Sequence, residues 1–110
     1  MPLRTIMDQN IWIIQTTLPD SLIEPTVDSW ISYFIEEKLT KCIQRSRITS
    51  VYEWENKTLN TEERKLQMKT TLSNKELLIQ AIKDKHFYYI PQIITWQAET
   101  SNQYARWIEG

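Results

Sequence analysis

Few side chains in this sequence can do chemistry at neutral pH. The 110 residues contain one histidine, His86, and one cysteine, Cys42. Imidazole and thiolate are ligands for a borderline or soft divalent ion, and the same pair could serve as base and nucleophile in covalent catalysis. A tight metal site takes three or four ligands. One histidine per chain therefore falls short unless neighbouring chains contribute, and a hydrogen-bonded loop histidine is the plainer reading of His86. Nothing in the sequence brings Cys42 to His86, which argues against a Cys/His or Ser/His/Asp set. Lys69 is more informative. It lies between Met68 and Thr70 in a run with strand alternation, where Glu63, Lys65, Gln67 and Lys69 project from one face. A lysine on a central strand is either paired or faces a wet cavity, so these groups line a cleft or form a structural ion pair. Carboxylates such as Glu36-Glu37 and Glu62-Glu63 read as solvated charge runs. A glycine-rich phosphate loop is excluded, because the only glycine is Gly110.

The elements that must position these groups follow from periodicity. Ile11 to Thr17 is a β-branched and aromatic run, the pattern of a strand covered on both faces. A helix over Pro25 to Leu39 follows, with Val27, Trp30, Ile31, Phe34 and Ile35 at three- and four-residue spacing. A second strand from Lys41 to Trp54 has the polar residues Arg45 and Arg47 of an edge strand. It turns at Glu55-Asn56-Lys57, with Asn56 as the residue suited to positive φ. A third strand, Glu63 to Leu72, returns with Leu66, Met68, Thr70 and Leu72 on its apolar face. Ser73 to Glu76 has the form of a capping box opening a second helix that runs to Lys85. His86 to Pro91 is a loop into a fourth strand, Gln92 to Ala98, and the tail from Ser101 to Glu109 has helical spacing with Tyr104, Trp107 and Ile108 on one side. Residues 1–9 read as a loosely held lead-in to one domain spanning 1–110. The order is βαββαβ with a short C-terminal helix, the split βαβ arrangement of the α+β ferredoxin-like class. Two helices on one face leave the other bare, and the long second-to-third-strand hairpin is more than one sheet needs. Tyr52 and Trp54 on that hairpin point to assembly with other copies.

Composition bounds the partners. A net charge of −1 with scattered basic residues gives no general attraction to nucleic acid or to an anionic membrane. Five Trp and five Tyr are many for this length, and aromatic residues serve interfaces as well as cores. A single cysteine excludes an intrachain disulfide framework and fits a reducing compartment. The first residues lack the apolar region of a signal peptide, and Ile11 to Ile14 is too short to span a bilayer. The expectation is a cytoplasmic protein.

Six segments together carry a resemblance. They are Thr16-Thr17-Leu18-Pro19-Asp20; Glu37-Lys38-Leu39 with Cys42; Ser50-Val51-Tyr52-Glu53-Trp54-Glu55-Asn56-Lys57; Glu63 with Lys69-Thr70; His86 with Tyr88 and Pro91; and Tyr104 with Trp107-Ile108. In order and spacing they resemble the CutA family of divalent-cation tolerance proteins over about residues 11–108. The resemblance implies a ferredoxin-like subunit in a tight homotrimer built through the long hairpin, similar in architecture to the PII signalling proteins. It also implies a non-enzymatic link to tolerance of copper and other divalent metals. Family metal binding is associated with a first-strand Cys, a loop His and a Glu after the loop Pro. The corresponding positions here are Thr16, His86 and Gln92, so His86 is the one ligand carried over toward a divalent ion such as Cu²⁺, and no cofactor is firmly implied. About three extra residues lie in the Ser21 to Pro25 region, Asn56 stands where the family has Gly, and Phe87 stands where a Pro usually follows the His. On this reading Glu63, Lys69 and Tyr88 line an inter-subunit cleft near His86. The alternative is a PII-like regulatory or scaffold module that takes a small anionic ligand or a partner in that cleft, with Lys69 supplying the charge.

Overall fold

The computed structural model describes residues 6–110. Seven elements follow in order: β1 (Gln9–Pro19), α1 (Glu24–Glu36), β2 (Cys42–Trp54), β3 (Lys57–Thr70), α2 (Leu72–Lys85), β4 (Ile93–Thr100) and α3 (Asn102–Glu109). The four strands form one antiparallel sheet in the order β2-β3-β1-β4. This is the ferredoxin-like α+β arrangement, with the apolar strand β1 internal and β2 on an edge. Residues 1–5 of the expected lead-in lie outside the described residues, and Gln9 already belongs to β1. No helix among the described residues is long and apolar enough to cross a membrane.

Alternation along the strands sorts residues between two faces. Ile14, Leu18, Leu66 and Met68 pack against Val27, Trp30 and Phe34 of α1 and Leu78 and Ile82 of α2 in the main core. The same parity carries Arg45 and Arg64 toward α1. Arg64 is buried, with a side-chain exposure of 7%; its two terminal nitrogens find local partners, while its Nε, 3.9 Å from Asp20, makes no hydrogen bond. It pairs with Glu24 and donates to the Leu22 carbonyl at 3.2 Å. Arg45 pairs with Glu24 at 2.5 Å and Asp28 at 2.7 Å. These arginines hold the longer connection before α1 onto the sheet. They also hold the Glu24 carboxyl below the usual carboxylate range, the Arg64 guanidinium first and Arg45 behind it.

On the opposite face α3 lies across one end of the sheet, where Ala105 and Ile108 meet Ile11 and Ile13. The inward residues of α3 are therefore Ala105 and Ile108, while Trp107 stays on the outside, under the ammonium of Lys41 at 4.8 Å. The rest of this face is uncovered, and Ile94 and Trp96 of β4 are exposed on it.

Other boundaries differ from the sequence reading for local reasons. α1 stops at Glu36 rather than Leu39, because Lys38 adopts φ 59 and turns the chain out of the helix. Pro25 occupies its first turn, where a missing N–H costs nothing. α2 begins at Leu72, so Leu72 is not in a strand. Its cap is Thr71, whose hydroxyl accepts from the Asn74 N–H at 3.3 Å, and not Ser73. Glu76 consequently does not reach back as a capping-box partner and lies on the surface beside Lys75.

The β2-β3 hairpin is the largest feature of the chain. Its pairing runs from Cys42↔Lys69 to Trp54↔Lys57. The only residues between the strands are Glu55 and Asn56, both at positive φ (51 and 64), as a two-residue type I′ turn requires. β1 supports β3 only as far as Pro19↔Glu63. The six pairs from Thr49↔Glu62 to Trp54↔Lys57 therefore form a free two-stranded arm, which at strand rise reaches about 20 Å beyond the sheet. The radius of gyration is 16.1 Å, against about 13 Å for a compact chain of this length.

Candidate functional site

The loop after α2 brings His86 and Tyr88 to the C-terminal end of β1. Trp30 anchors the start of this loop by donating its indole N–H to the Lys85 carbonyl at 2.8 Å. His86 packs edge-on to Trp30 and stacks on Tyr88 at a centroid separation of 5.5 Å. Both of its ring nitrogens are engaged. The Tyr88 backbone N–H donates to Nδ1 at 3.1 Å, which leaves the proton of the neutral ring on Nε2, donating to Thr16 Oγ1 at 2.9 Å. Burial lowers the His86 pKa below its ordinary value, against smaller raising effects from the Thr17 backbone and Glu63, so the ring is neutral at pH 7.

Tyr88 reaches the other side of the sheet edge and donates its phenol to Glu63 Oε2 at 2.7 Å. Burial and the Glu63 carboxylate push the phenol pKa up, and Tyr88 acts as a neutral donor. Glu63 itself is only 9% exposed. The two residues sit in a cleft of about 690 Å³ whose far wall is the hairpin arm, with Tyr52 and Trp54.

Of the residues expected to form a site, the structure therefore joins Glu63, Tyr88 and His86 in one neighbourhood. Lys69 is not with them in the same chain. It lies six residues further along β3, opposite Ile13, and about 20 Å away at strand rise. There its ammonium donates to the Tyr104 hydroxyl of α3 at 3.3 Å and lies over that ring. Cys42 pairs with Lys69 across the strands and is likewise remote from His86.

The residues at the family's ligand positions can be tested against a divalent ion directly. Thr16 faces the helices and is fully buried, with its hydroxyl taken by His86. Gln92 lies on the opposite face, where its side chain accepts from Gln15, which in turn accepts from Gln67 (3.1 and 3.0 Å). A hydroxyl, a fully bonded imidazole and an amide on the far side of the sheet do not converge. The described residues hold no group of three or more His, Cys, Asp and Glu placed to bind a metal ion. The residues of one chain do not fit a divalent ion.

Sequence reasoning missed three partners. Tyr104 for Lys69 and Thr16 for His86 are tertiary contacts with no local signature. The Arg64 cluster did leave one, since an arginine sharing the parity of Leu66 and Met68 must carry its own counter-ions into the core side.

Comparison with known proteins follows the same architecture. The sequence model of the CutA1 divalent ion tolerance protein family matches residues 12–110. The divalent-cation tolerance protein CutA of Escherichia coli is 30% identical over 83 residues, covering 74% of this chain and 71% of that protein. The crystal structure of the divalent ion tolerance protein CutA1 from Ehrlichia chaffeensis superposes with a TM-score of 0.81 at 29% identity, covering 92% of this chain and 94% of that one. A PII-like CutA from Nostoc shares the fold, with a TM-score of 0.79 at 24% identity, covering 90% of this chain and 94% of that one.

Proposed function

The chain belongs to the CutA1 divalent ion tolerance family, and from that membership we propose that it acts as a cytoplasmic, non-enzymatic homotrimer in the response to divalent metal ions, copper among them. The observation that carries the assembly is the free hairpin arm. A two-stranded ribbon is marginal in water by itself, yet this one extends six pairs past the sheet and exposes Val51, Tyr52 and Trp54 at 65%, 42% and 49%. The uncovered sheet face beside it exposes Ile94 and Trp96. Cover from two further copies satisfies both surfaces at once, with Tyr52 and Trp54 as contacts between subunits.

On this reading the metal response resides in the trimer and not in a site closed within one chain, because His86 has no free nitrogen and Thr16 and Gln92 face apart. Its direct test is the mass in solution, coupled to titration calorimetry with Cu²⁺ and Zn²⁺ on wild type and His86→Ala. A trimer whose metal heats are unchanged by the substitution supports the proposal. A monomer, or metal binding that disappears with His86, contradicts it. The anionic-ligand alternative finds no support in the cleft itself, where Lys69 is absent from the lining.

A further inference from the structure

Arg47 of β2 and Arg64 of β3 are paired directly across the ladder, on the helix side of the sheet. Like charges opposite each other in an antiparallel pair weaken it. This rung also lies where support for the hairpin runs out, since β1 pairs with β3 no further than Pro19↔Glu63 and the free arm begins at Thr49↔Glu62. Two guanidinium groups thus face each other at the root of the arm.

What offsets them is the chain that leaves β1 at the same level. Asp20 Oδ1 is shared by the two groups, 3.6 Å from Arg47 Nε and 3.9 Å from Arg64 Nε. Both Asp20 Oδ1 and Arg64 Nε are buried without a hydrogen bond, so this carboxylate acts through its charge, where water screens it least. Glu24 Oε1 is shared in the same way, 3.7 Å from Arg47 Nη2 and hydrogen-bonded to Arg64 Nη1. Arg45, two residues back on β2, pairs with the other oxygen of Glu24 and with Asp28. The charged groups that meet here are therefore Asp20, Glu24 and Asp28 against Arg45, Arg47 and Arg64. Apolar packing does not fill the space between them, because a cavity of about 230 Å³ remains between Glu24 and Val27 of α1 and the three arginines. Charge, more than contact area, holds this segment to the sheet.

We propose that the segment from Asp20 to Glu24 is a latch, its two carboxylates holding the Arg47–Arg64 rung closed and so fixing the direction in which the hairpin arm leaves the sheet. Where β1 stops, this segment takes over as the brace of β3. The latch is closed within one chain; the trimer reading enters only in what the aimed arm then reaches.

Amide hydrogen exchange of the intact protein, read by mass spectrometry on peptides from the arm and from β1, tests the latch. Asp20→Asn/Glu24→Gln speeds exchange in the arm at least about tenfold more than in β1, equivalent to about 1.4 kcal/mol of easier local opening. Adding Arg47→Gln removes one of the two facing charges and restores most of the lost protection, a rescue that loss of a mere surface contact would not show. Should the double variant fail to fold, Asp20→Asn alone gives the same pattern at smaller size and the same rescue. Equal acceleration in arm and β1, no acceleration, or protection that Arg47→Gln does not restore overturns the proposal. A wild-type mass of one chain by light scattering counts against the trimer alone, and the ratio of arm to β1 exchange still decides the latch.

Discussion

Tyr88 and Glu63, 25 positions apart, are joined by a 2.7 Å hydrogen bond that ties the loop after α2 to the third strand. Among the described residues this is the only side-chain hydrogen bond to a nearly buried carboxylate. Tyr88→Phe leaves Glu63 without a donor and is expected to cost about 1–3 kcal/mol. Thermal unfolding of the variant at pH 7 measures the loss; an unchanged Tm would show that Glu63 is satisfied by something else.

His86 makes a pH prediction with a definite sign. Its folded pKa is depressed by burial, so the unfolded chain binds the proton more readily. Its effect is absent above the unfolded value near 6.5, and folding becomes less favourable as pH falls from there through the folded pKa. Replacing it with Gln, which keeps a donor toward Thr16, flattens Tm as pH falls below about 6.5. NMR titration of the imidazole gives the same answer directly, as a midpoint below the ordinary histidine value.

Glu24 acts lower on the pH scale. Its folded pKa is held down from 4.5 by Arg64 and then Arg45, so its contribution is complete above the unfolded value and is lost as pH falls through the folded one. Glu24→Gln removes that part of the acid limb and leaves Tm at pH 7 lower, because Arg64 loses its counter-ion. Comparing the two proteins in a series of scans from pH 7 to 3 separates this from the His86 effect by its window.

The turn of the long hairpin uses two non-glycine residues at positive φ, Glu55 at 51 and Asn56 at 64. Asn adopts this region at less cost than Glu. Glu55→Gly is expected to raise stability by up to about 1 kcal/mol, seen as a higher Tm, whereas Asn56→Gly changes it little. Reversal of that order would mean that the turn adopts another type in solution.

The physical reasons for what was legible in the sequence are uneven. Strand alternation exposed the sheet, the parity of Glu63 and Lys69 and the excess length of the hairpin, because a period of two is set by the backbone. The turn at Asn56 was legible from its residue type, but Glu55 beside it was not, since nothing in a glutamate announces positive φ. Lys38 ended α1 early for the same reason. The cap of α2 fell to Thr71 rather than Ser73 because strand pairing, ending at Thr70, decided which of two nearby hydroxyls reached the first turn. The candidate site was half legible. Lys69 was recognised as needing a partner, yet that partner, Tyr104, comes from a helix 35 positions away that packs on the other face of the sheet.

The central claim is that the hairpin arm and the uncovered sheet face exist to be buried by other copies of this chain. Light scattering on the eluting peak at micromolar concentration measures it, for wild type and for Tyr52→Asp/Trp54→Asp. The account predicts a wild-type mass three times the 13.2 kDa of one chain and dissociation of the double variant. A wild-type mass of one chain would contradict it.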